Sequence, residues 1–167
     1  MNSQNAFKIS QDIIASKQTR FTNYVVDYLV QILITGILVV LVGIFAEFTD
    51  QPNLLSWIDD INKIQEYIFG AVISIIYYAI FESFTARSAG KYVTNTIVVL
   101  EDGTKPPTET LLRRALYRIV PLNALCYLWA PEIWHDKYTD TFVVSKSGLK
   151  SEIQMHNNLD EIGTLQD

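Results

Sequence analysis

The sequence predicts an all-α membrane protein with two transmembrane helices, a short third apolar segment and a small pair of cytoplasmic β-strands. The first observation is an uncharged run from Tyr28 to Ala46, which as a helix would extend about 28 Å and so cross the hydrocarbon core of a bilayer. The second is a similar apolar run from Ile64 to Phe84. The third is composition: 49% of the 167 residues are hydrophobic and they are concentrated in blocks, which is typical of a membrane protein.

The first predicted span, about 22–47, carries polar residues on one face. Spaced three or four residues apart, they are Arg20, Asn23, Asp27, Gln31 and Thr35. Such spacing places them in a band about 120° wide on a helix. Because lipid offers these groups no partner, the band should face protein, or water held by protein. The alternative is that the span begins at Tyr28, which would leave Arg20 and Asp27 as ordinary interfacial residues.

The second and third apolar runs are less uniform. The second span, about 64–84, ends in aromatic residues that suit a membrane interface, and Glu82 at this end is either an interfacial carboxylate or a group inside the bundle. The third run, about 115–133, is broken by Pro121 and Pro131. Its apolar part is only about 15 residues long, so both a full span and a re-entrant segment are open.

Two short segments share one sequence pattern. Thr96–Gly103 and Thr141–Gly148 each contain Thr, an apolar residue, Val, Val, three residues and Gly. Pairing them as strands would satisfy both hydrogen-bonding edges. The distribution of Lys and Arg predicts that the N-terminus and the basic 85–118 loop are cytoplasmic and the acidic 47–63 loop is outside. The strands can then pair only if the third run is re-entrant, because a full span would place the tail outside.

The chain is predicted to form one unit, with a polar cap at 1–19, a membrane domain at 20–145 and a polar tail at 146–167. A net charge of −5 does not favour nucleic acid. The single cysteine, Cys126, excludes a disulfide framework and a cysteine-based metal site. With two histidines and no nucleophile motif, we expect no enzyme activity, no cofactor and no metal centre.

Charged residues near the predicted membrane ends are the candidate site. Asp27 and Asp136 need cations if they are buried, because an unpaired buried carboxylate is costly. These cations are either basic side chains of the protein, which would make a structural ion-pair network, or transported Na⁺ or H⁺. The sequence leaves both alternatives open. The candidate residues are Arg20, Asp27, Gln31, Arg113, Arg114, Arg118 and Asp136.

These residues resemble a known family. Arg20, Asp27 and Asp136, the last within Trp134–Val144, are similar to the one arginine and two aspartates for which the RDD family of small membrane proteins is named. Other similar features are Thr85-x-x-x-x-Gly90-Lys91, Val98-Val99-x-x-Asp102-Gly103 and the Arg113-Arg114 pair. The resemblance extends over roughly residues 18–145. It departs in the distance from Thr85 to Lys91, since the family's usual pattern is a tighter Thr-x-Gly-Lys.

The resemblance implies two classes of function. One is transport, with exchange of Na⁺, Li⁺ or K⁺ for protons in some members. In this chain, Asp27 would be the ion-responsive carboxylate and Asp136 a second carboxylate. The counter-ions of Asp27 would be Arg20 and the arginines of the 85–118 loop. The other is a non-transporting accessory or scaffold protein, in which these residues only lock helices and strands together. We expect a multi-pass protein of the cell (inner) membrane with its N-terminus cytoplasmic. Because two or three spans enclose little volume, we also expect homo-oligomers or a membrane-protein partner.

Overall fold

Two long antiparallel helices organise the computed structural model, which describes residues 7–118 and 134–164. They are α1 (Lys17–Phe48) and α3 (Lys63–Thr85), and both are long and apolar enough to cross a membrane. The other elements, in chain order, are a 3₁₀ turn (Gln11–Ile13), α2 (Pro52–Asp59), α4 (Ala89–Val93), β1 (Thr96–Val99), α5 (Thr108–Tyr117), α6 (Trp134–Lys137), β2 (Phe142–Ser145) and α7 (Lys146–Thr164).

The long helices have the surface of membrane spans. With 32 and 23 residues, they extend about 48 and 35 Å, and most of their apolar side chains are exposed. Both confirm the two long apolar helices that the sequence predicted, although α1 begins earlier than expected, where the Ser16 side chain accepts a hydrogen bond from the backbone N–H of Thr19. The segment between them, expected to be a loop, contains α2, which starts at Pro52, a residue well suited to a first helical turn.

The predicted strand pair is present. β1 and β2 are antiparallel, with Thr96 opposite Ser145 and Val99 opposite Phe142. Both faces of this ribbon are covered: one packs against Ile9 and Leu149, and the other against elements that follow α3. This double coverage explains why consecutive valines are buried in both strands.

The two ends of the described chain also pack on the ribbon. The N-terminal segment 7–15 runs along it, with backbone hydrogen bonds from Ile9 to Glu101 and from Ala15 to Val143. Of the predicted polar tail, residues 146–164 form α7, whose Glu152 accepts hydrogen bonds from Ser10. We call the unit formed by residues 7–16, 86–118 and 134–164 the cap; it is larger than the strand pair that the sequence predicted.

The ribbon fixes which parts of the chain lie together. The predicted third span, 115–133, lies outside the described residues beyond its first four positions, and the end of α5 occupies 115–117. β1 precedes this run and β2 follows it, so the two chain segments that flank it lie together, at the same end of α1 and α3. If α1 and α3 cross a membrane, both segments lie on the same side of it, because a tail on the opposite side could not reach β1.

Cysteine labelling tests this arrangement. With Cys126 replaced by Ala, we expect Asp102→Cys and Lys150→Cys in the cap to react with an impermeant maleimide from the same side of the membrane. Asp60→Cys, in the segment between α1 and α3, should react only from the opposite side; all three positions are exposed. Labelling of Lys150→Cys and Asp60→Cys from one side would contradict the fold.

Candidate functional site

The polar band of α1 faces protein, as its spacing predicted. Asn23 and Asp27 are buried, with 5% and 1% of their surface exposed to solvent. Arg20, Gln31 and Thr35 are half-buried. Between residues 25 and 45, the exposed side chains of α1 are instead hydrophobic. The band divides into a charged part that contacts the cap and a neutral part that continues between α1 and α3.

Asp27 is enclosed by four hydrogen-bond donors. Its Oδ1 accepts from the Tyr77 hydroxyl at 2.8 Å and the Gly90 backbone N–H at 2.7 Å. Its Oδ2 accepts from the Ser88 hydroxyl at 2.6 Å and the Tyr78 hydroxyl at 3.3 Å. A carboxylate has about four lone-pair sites, so all are used. Within the described part of the chain, no basic side chain makes an ion pair with Asp27. We call these five residues the Asp27 cage.

The cage depends on close contact between α4 and α1. The chain reverses direction after α3 at Ala86, which has a left-handed φ of 53°. A Cβ atom at Gly90 would lie 2.2 Å from the backbone oxygen of Asn23, so only glycine allows the backbone of α4 to approach this near. Asn23 also joins α1 to the start of β1, because its side-chain amide donates to the hydroxyl of Thr96 at 3.1 Å.

Glu82 is the centre of a second set of contacts. Its Oε1 lies 2.6 Å from the Lys91 ammonium and 2.9 Å from Arg118 Nη2. Its Oε2 lies 3.5 Å from Nε of Arg114, and both of these side chains are fully buried. The structure therefore places Glu82 inside the bundle, an alternative that the sequence had left open. Burial lowers the pKa of the Lys91 ammonium, and the adjacent Glu82 carboxylate opposes this shift.

Asp136 is the third buried carboxylate. It pairs with Arg20 at 2.7 Å and with Arg114, and Arg114 also donates to the hydroxyl of Thr141. Burial alone would raise the pKa of Asp136, but the guanidinium groups of Arg114 and Arg20 hold it below its ordinary value. Through these contacts the N-terminal turn of α1 is joined to α5, α6 and the chain that enters β2.

Together these contacts form one ion-pair network, which consists of Arg20, Glu82, Lys91, Arg114, Arg118 and Asp136. Four basic side chains share two carboxylates, so the network carries an excess of two positive charges. Arg118 also stacks on the ring of Tyr78, 3.8 Å from its centroid. Tyr78 is therefore in direct contact with both the network and the Asp27 cage.

A cleft of about 1090 Å³ runs between α1 and α3 next to these groups. Its polar lining includes Gln31 and Thr35 from α1 and Ser74 from α3, and Tyr78 and Arg118 lie at the end nearest the cap. Asp27 itself is not part of the lining. Since Tyr78 contacts both the cleft and Asp27, a single side chain separates the buried carboxylate from the cleft.

The structure divides the predicted site residues into groups. Arg20, Arg114, Arg118 and Asp136 meet in the ion-pair network, but Arg20 pairs with Asp136 and not with Asp27. Gln31 lies along the cleft. Arg113 is exposed and pairs with Glu109, one helical turn away. No group of three or more potential metal-ligating side chains occurs in residues 7–118 and 134–164.

Several site residues were missed by sequence reasoning. Lys91 was set aside because its distance from Thr85 departs from the family pattern, yet its side chain is 2% exposed in the pair with Glu82. Tyr77 and Tyr78 are among the aromatic residues near the end of the second span that were expected at a membrane interface, whereas their hydroxyl groups donate hydrogen bonds to Asp27. The helical spacing from Tyr78 to Glu82 was an available signal, since it places both on the same face of α3.

Removing the Asp136 carboxylate should destabilise the protein strongly. Asp136→Asn leaves Arg20 without a counter-charge at a nearly dry site, and it leaves Arg114 with Glu82 alone, which is already shared with two other basic side chains. We therefore expect a loss of about 3–5 kcal/mol in the free energy of unfolding. Tryptophan fluorescence during denaturation in detergent measures this loss. Glu109→Gln is the matched control, because it breaks an exposed ion pair and should cost at most about 1 kcal/mol. Equal effects of the two substitutions would contradict the assignment.

The contribution of Asp136 should also depend on pH in a defined direction. Its pKa is lower in the folded protein than in the unfolded chain, so its stabilising effect is complete above the unfolded value of about 3.9 and is lost as pH falls through the folded value. The difference in unfolding free energy between wild type and Asp136→Asn should therefore be constant near neutral pH and shrink in acid. A difference that grows on acidification would contradict this linkage.

Comparison with known proteins gives one match. The model of the RDD family matches residues 14–147, which include α1, α3, the ribbon and every member of the ion-pair network and the Asp27 cage. No curated protein and no solved structure matches the chain. The matched region is most of the sequence, and its two long apolar helices indicate a membrane protein. The chain belongs to the RDD family.

Proposed function

We propose that this chain is a small membrane transporter in which Asp27 takes up and releases a proton while a solute occupies the cleft. One observation carries the proposal. Of the three buried carboxylates in the described chain, Asp27 alone is held only by neutral donors, whereas Glu82 and Asp136 make ion pairs. The ion-pair network is then structural, and Asp27 is the group whose charge changes.

The surroundings of Asp27 accommodate both charge states. Three of its four partners are hydroxyl groups, and a hydroxyl can either donate or accept a hydrogen bond. Protonated Asp27 can therefore keep its partners if one hydroxyl rotates. Protonation of Glu82 or Asp136 would instead break ion pairs with two or more basic side chains, at a cost of several kcal/mol.

The cleft supplies a route to this group. The side chains of Gln31 and Ser74 line it and make no hydrogen bond within the described part of the chain. Polar groups at membrane depth are costly unless they meet water, a solute or another polar group. Tyr78 then connects the cleft to Asp27, because its ring lines the cleft and its hydroxyl donates to the carboxylate.

Exchange of a monovalent cation for a proton is the form of transport that the family resemblance implies. The hydroxyl oxygens around Asp27 are hard ligands of the type that such cations prefer. The excess positive charge of the ion-pair network opposes a cation entering the cage. The identity of the solute is therefore a separate question from the role of Asp27.

A scaffold role is the second candidate, and the filled lone pairs of Asp27 favour it. Four hydrogen bonds attach α1 to α3 and to the start of α4, so Asp27 could serve only to hold the spans on the cap. In that case the chain would act as a non-transporting accessory protein that assembles with further copies or with a membrane-protein partner. The two candidates predict different effects of one substitution.

Proton flux in proteoliposomes distinguishes them. With a pH dye trapped inside, pulses of Na⁺, K⁺, Li⁺ or a weak organic anion should produce proton movement with wild type. Asp27→Asn, which keeps the size of the side chain, should reduce this flux at least tenfold and change the unfolding free energy by less than about 1 kcal/mol.

The control is Glu109→Gln, which should leave flux unchanged. Inserted wild-type protein that is silent towards every solute would reject transport. A fully active Asp27→Asn would reject the role of Asp27. A loss of several kcal/mol in Asp27→Asn without flux in wild type would support the scaffold candidate, as expected when a buried hydrogen-bonded carboxylate is replaced.

A further inference from the structure

We infer that the cleft binds an organic anion, with its charged head at Arg118 and its apolar body between α1 and α3. The inference rests on the proposed function, because it names the class of solute for the same site. It depends on three observations: which charges line the cleft, how the charges behind Arg118 balance, and what the walls are made of.

The first observation concerns the charged side chains in the described lining, which are Lys63, Glu66 and Arg118. Lys63 and Glu66 lie at the start of α3, are mostly exposed and pair with each other at 2.9 Å. Their opposite charges therefore cancel each other at the mouth of the cleft. At the opposite end, next to the cap, the charged group that the described lining presents is the guanidinium of Arg118, so a solute that reaches this end meets a positive charge.

The second observation is that positive charge also accumulates behind Arg118. The carboxylate of Glu82 is shared by three basic side chains, and Asp136 is shared by two. Asp27 adds one negative charge, and buried Arg87, whose guanidinium donates to the backbone oxygens of Thr96 and Lys91, adds one positive charge. The excess of two positive charges thus remains after both are included.

The sequence between Arg118 and α6, which lies outside the described residues, does not reverse this balance. From 119 to 133 it contains a single acidic residue, Glu132, and no basic one. Even a nearby Glu132 would leave the region with net positive charge. In surroundings of low dielectric constant, such an excess attracts an anion and repels a cation.

The third observation is the amphipathic character of the cleft. Its walls are mostly apolar, and its volume of about 1090 Å³ exceeds what a bare inorganic ion requires. The polar side chains between the mouth and Arg118 include the amide of Gln31 and the hydroxyl of Ser74, both of which can donate hydrogen bonds. These features fit a carboxylate or phosphate head on an apolar body.

Proton coupling follows from the position of Asp27. Tyr78 is stacked under Arg118 and donates to Asp27, so the anion head and the Asp27 carboxylate would lie on either side of one tyrosine. Two negative charges separated by one tyrosine side chain repel each other. Protonation of Asp27 removes the repulsion, which makes anion binding and proton uptake mutually favourable, and one proton moving with one monoanion transfers no net charge.

Equilibrium binding to the purified full chain tests the inference with three probes of equal chain length: octanoate, octanol and octylammonium. In nanodiscs of zwitterionic lipid, calorimetry should give at least tenfold tighter binding of octanoate than of either other probe. Arg118→Gln should weaken octanoate binding at least tenfold. Lys150→Gln, which removes an exposed positive charge on α7, should leave it unchanged.

A second variant keeps the test valid if loss of the Arg118–Glu82 pair prevents folding. A Cβ added at Gly70 meets nothing within 4 Å, and Gly70 lines the cleft. Gly70→Leu should therefore fold normally and reduce octanoate binding by occupying the cleft. The inference is overturned if octanol binds as tightly as octanoate, if octylammonium binds more tightly, or if octanoate binds folded Gly70→Leu as it binds wild type.

Nanodiscs that contain anionic lipid identify the source of the anion. Competition with octanoate would indicate a lipid that enters from the bilayer, and unchanged affinity would indicate a soluble anion; both outcomes support the anion site. Because binding is measured without flux, the inference and the proposed function fail separately. Octanoate binding with no flux would reject transport only, whereas cation-driven flux without octanoate binding would reject the anion only.

Discussion

The junction between the membrane helices and the cap depends on one buried guanidinium. Arg114 has no exposed surface, and it lies between Glu82 of α3 and Asp136 beyond α5. Removing it would leave two carboxylates with fewer partners in a dry site, which is far more costly than breaking an exposed pair. The positions of α3, α5 and α6, and through Asp136 the start of α1, follow from this contact. Loss of any one member of such a network is costly, even where the intact network adds little net stability.

Asp27 occupies a different environment only a short distance away. Its partners are neutral, three of them can reverse the direction of their hydrogen bonds, and Tyr78 connects it to both Arg118 and the cleft. The arginine and two aspartates that resemble the family's name residues therefore lie in two environments. Arg20 and Asp136 belong to the ion-pair network, whereas Asp27 is held by neutral donors.

Much of the fold was predictable because its signals are local. An uncharged run and a polar band at helical spacing predict α1, and a repeated Thr-x-Val-Val pattern predicts the ribbon. The site was harder because partners come from distant segments. In α5 two leucines and then two arginines follow one another, and only tertiary packing on α3 decides that Leu111 and Arg114 are buried while Leu112 and Arg113 are exposed. The polar composition of α7 likewise conceals its packing on β2.

The central claim is that Asp27 changes its charge when the cleft is occupied. Infrared difference spectroscopy of the purified protein, with and without octanoate at constant pH, measures this directly. The account predicts that a carboxylic-acid band appears on octanoate binding in wild type and is missing in Asp27→Asn that still binds the probe. Octanoate binding that produces the same spectrum in both proteins would contradict it.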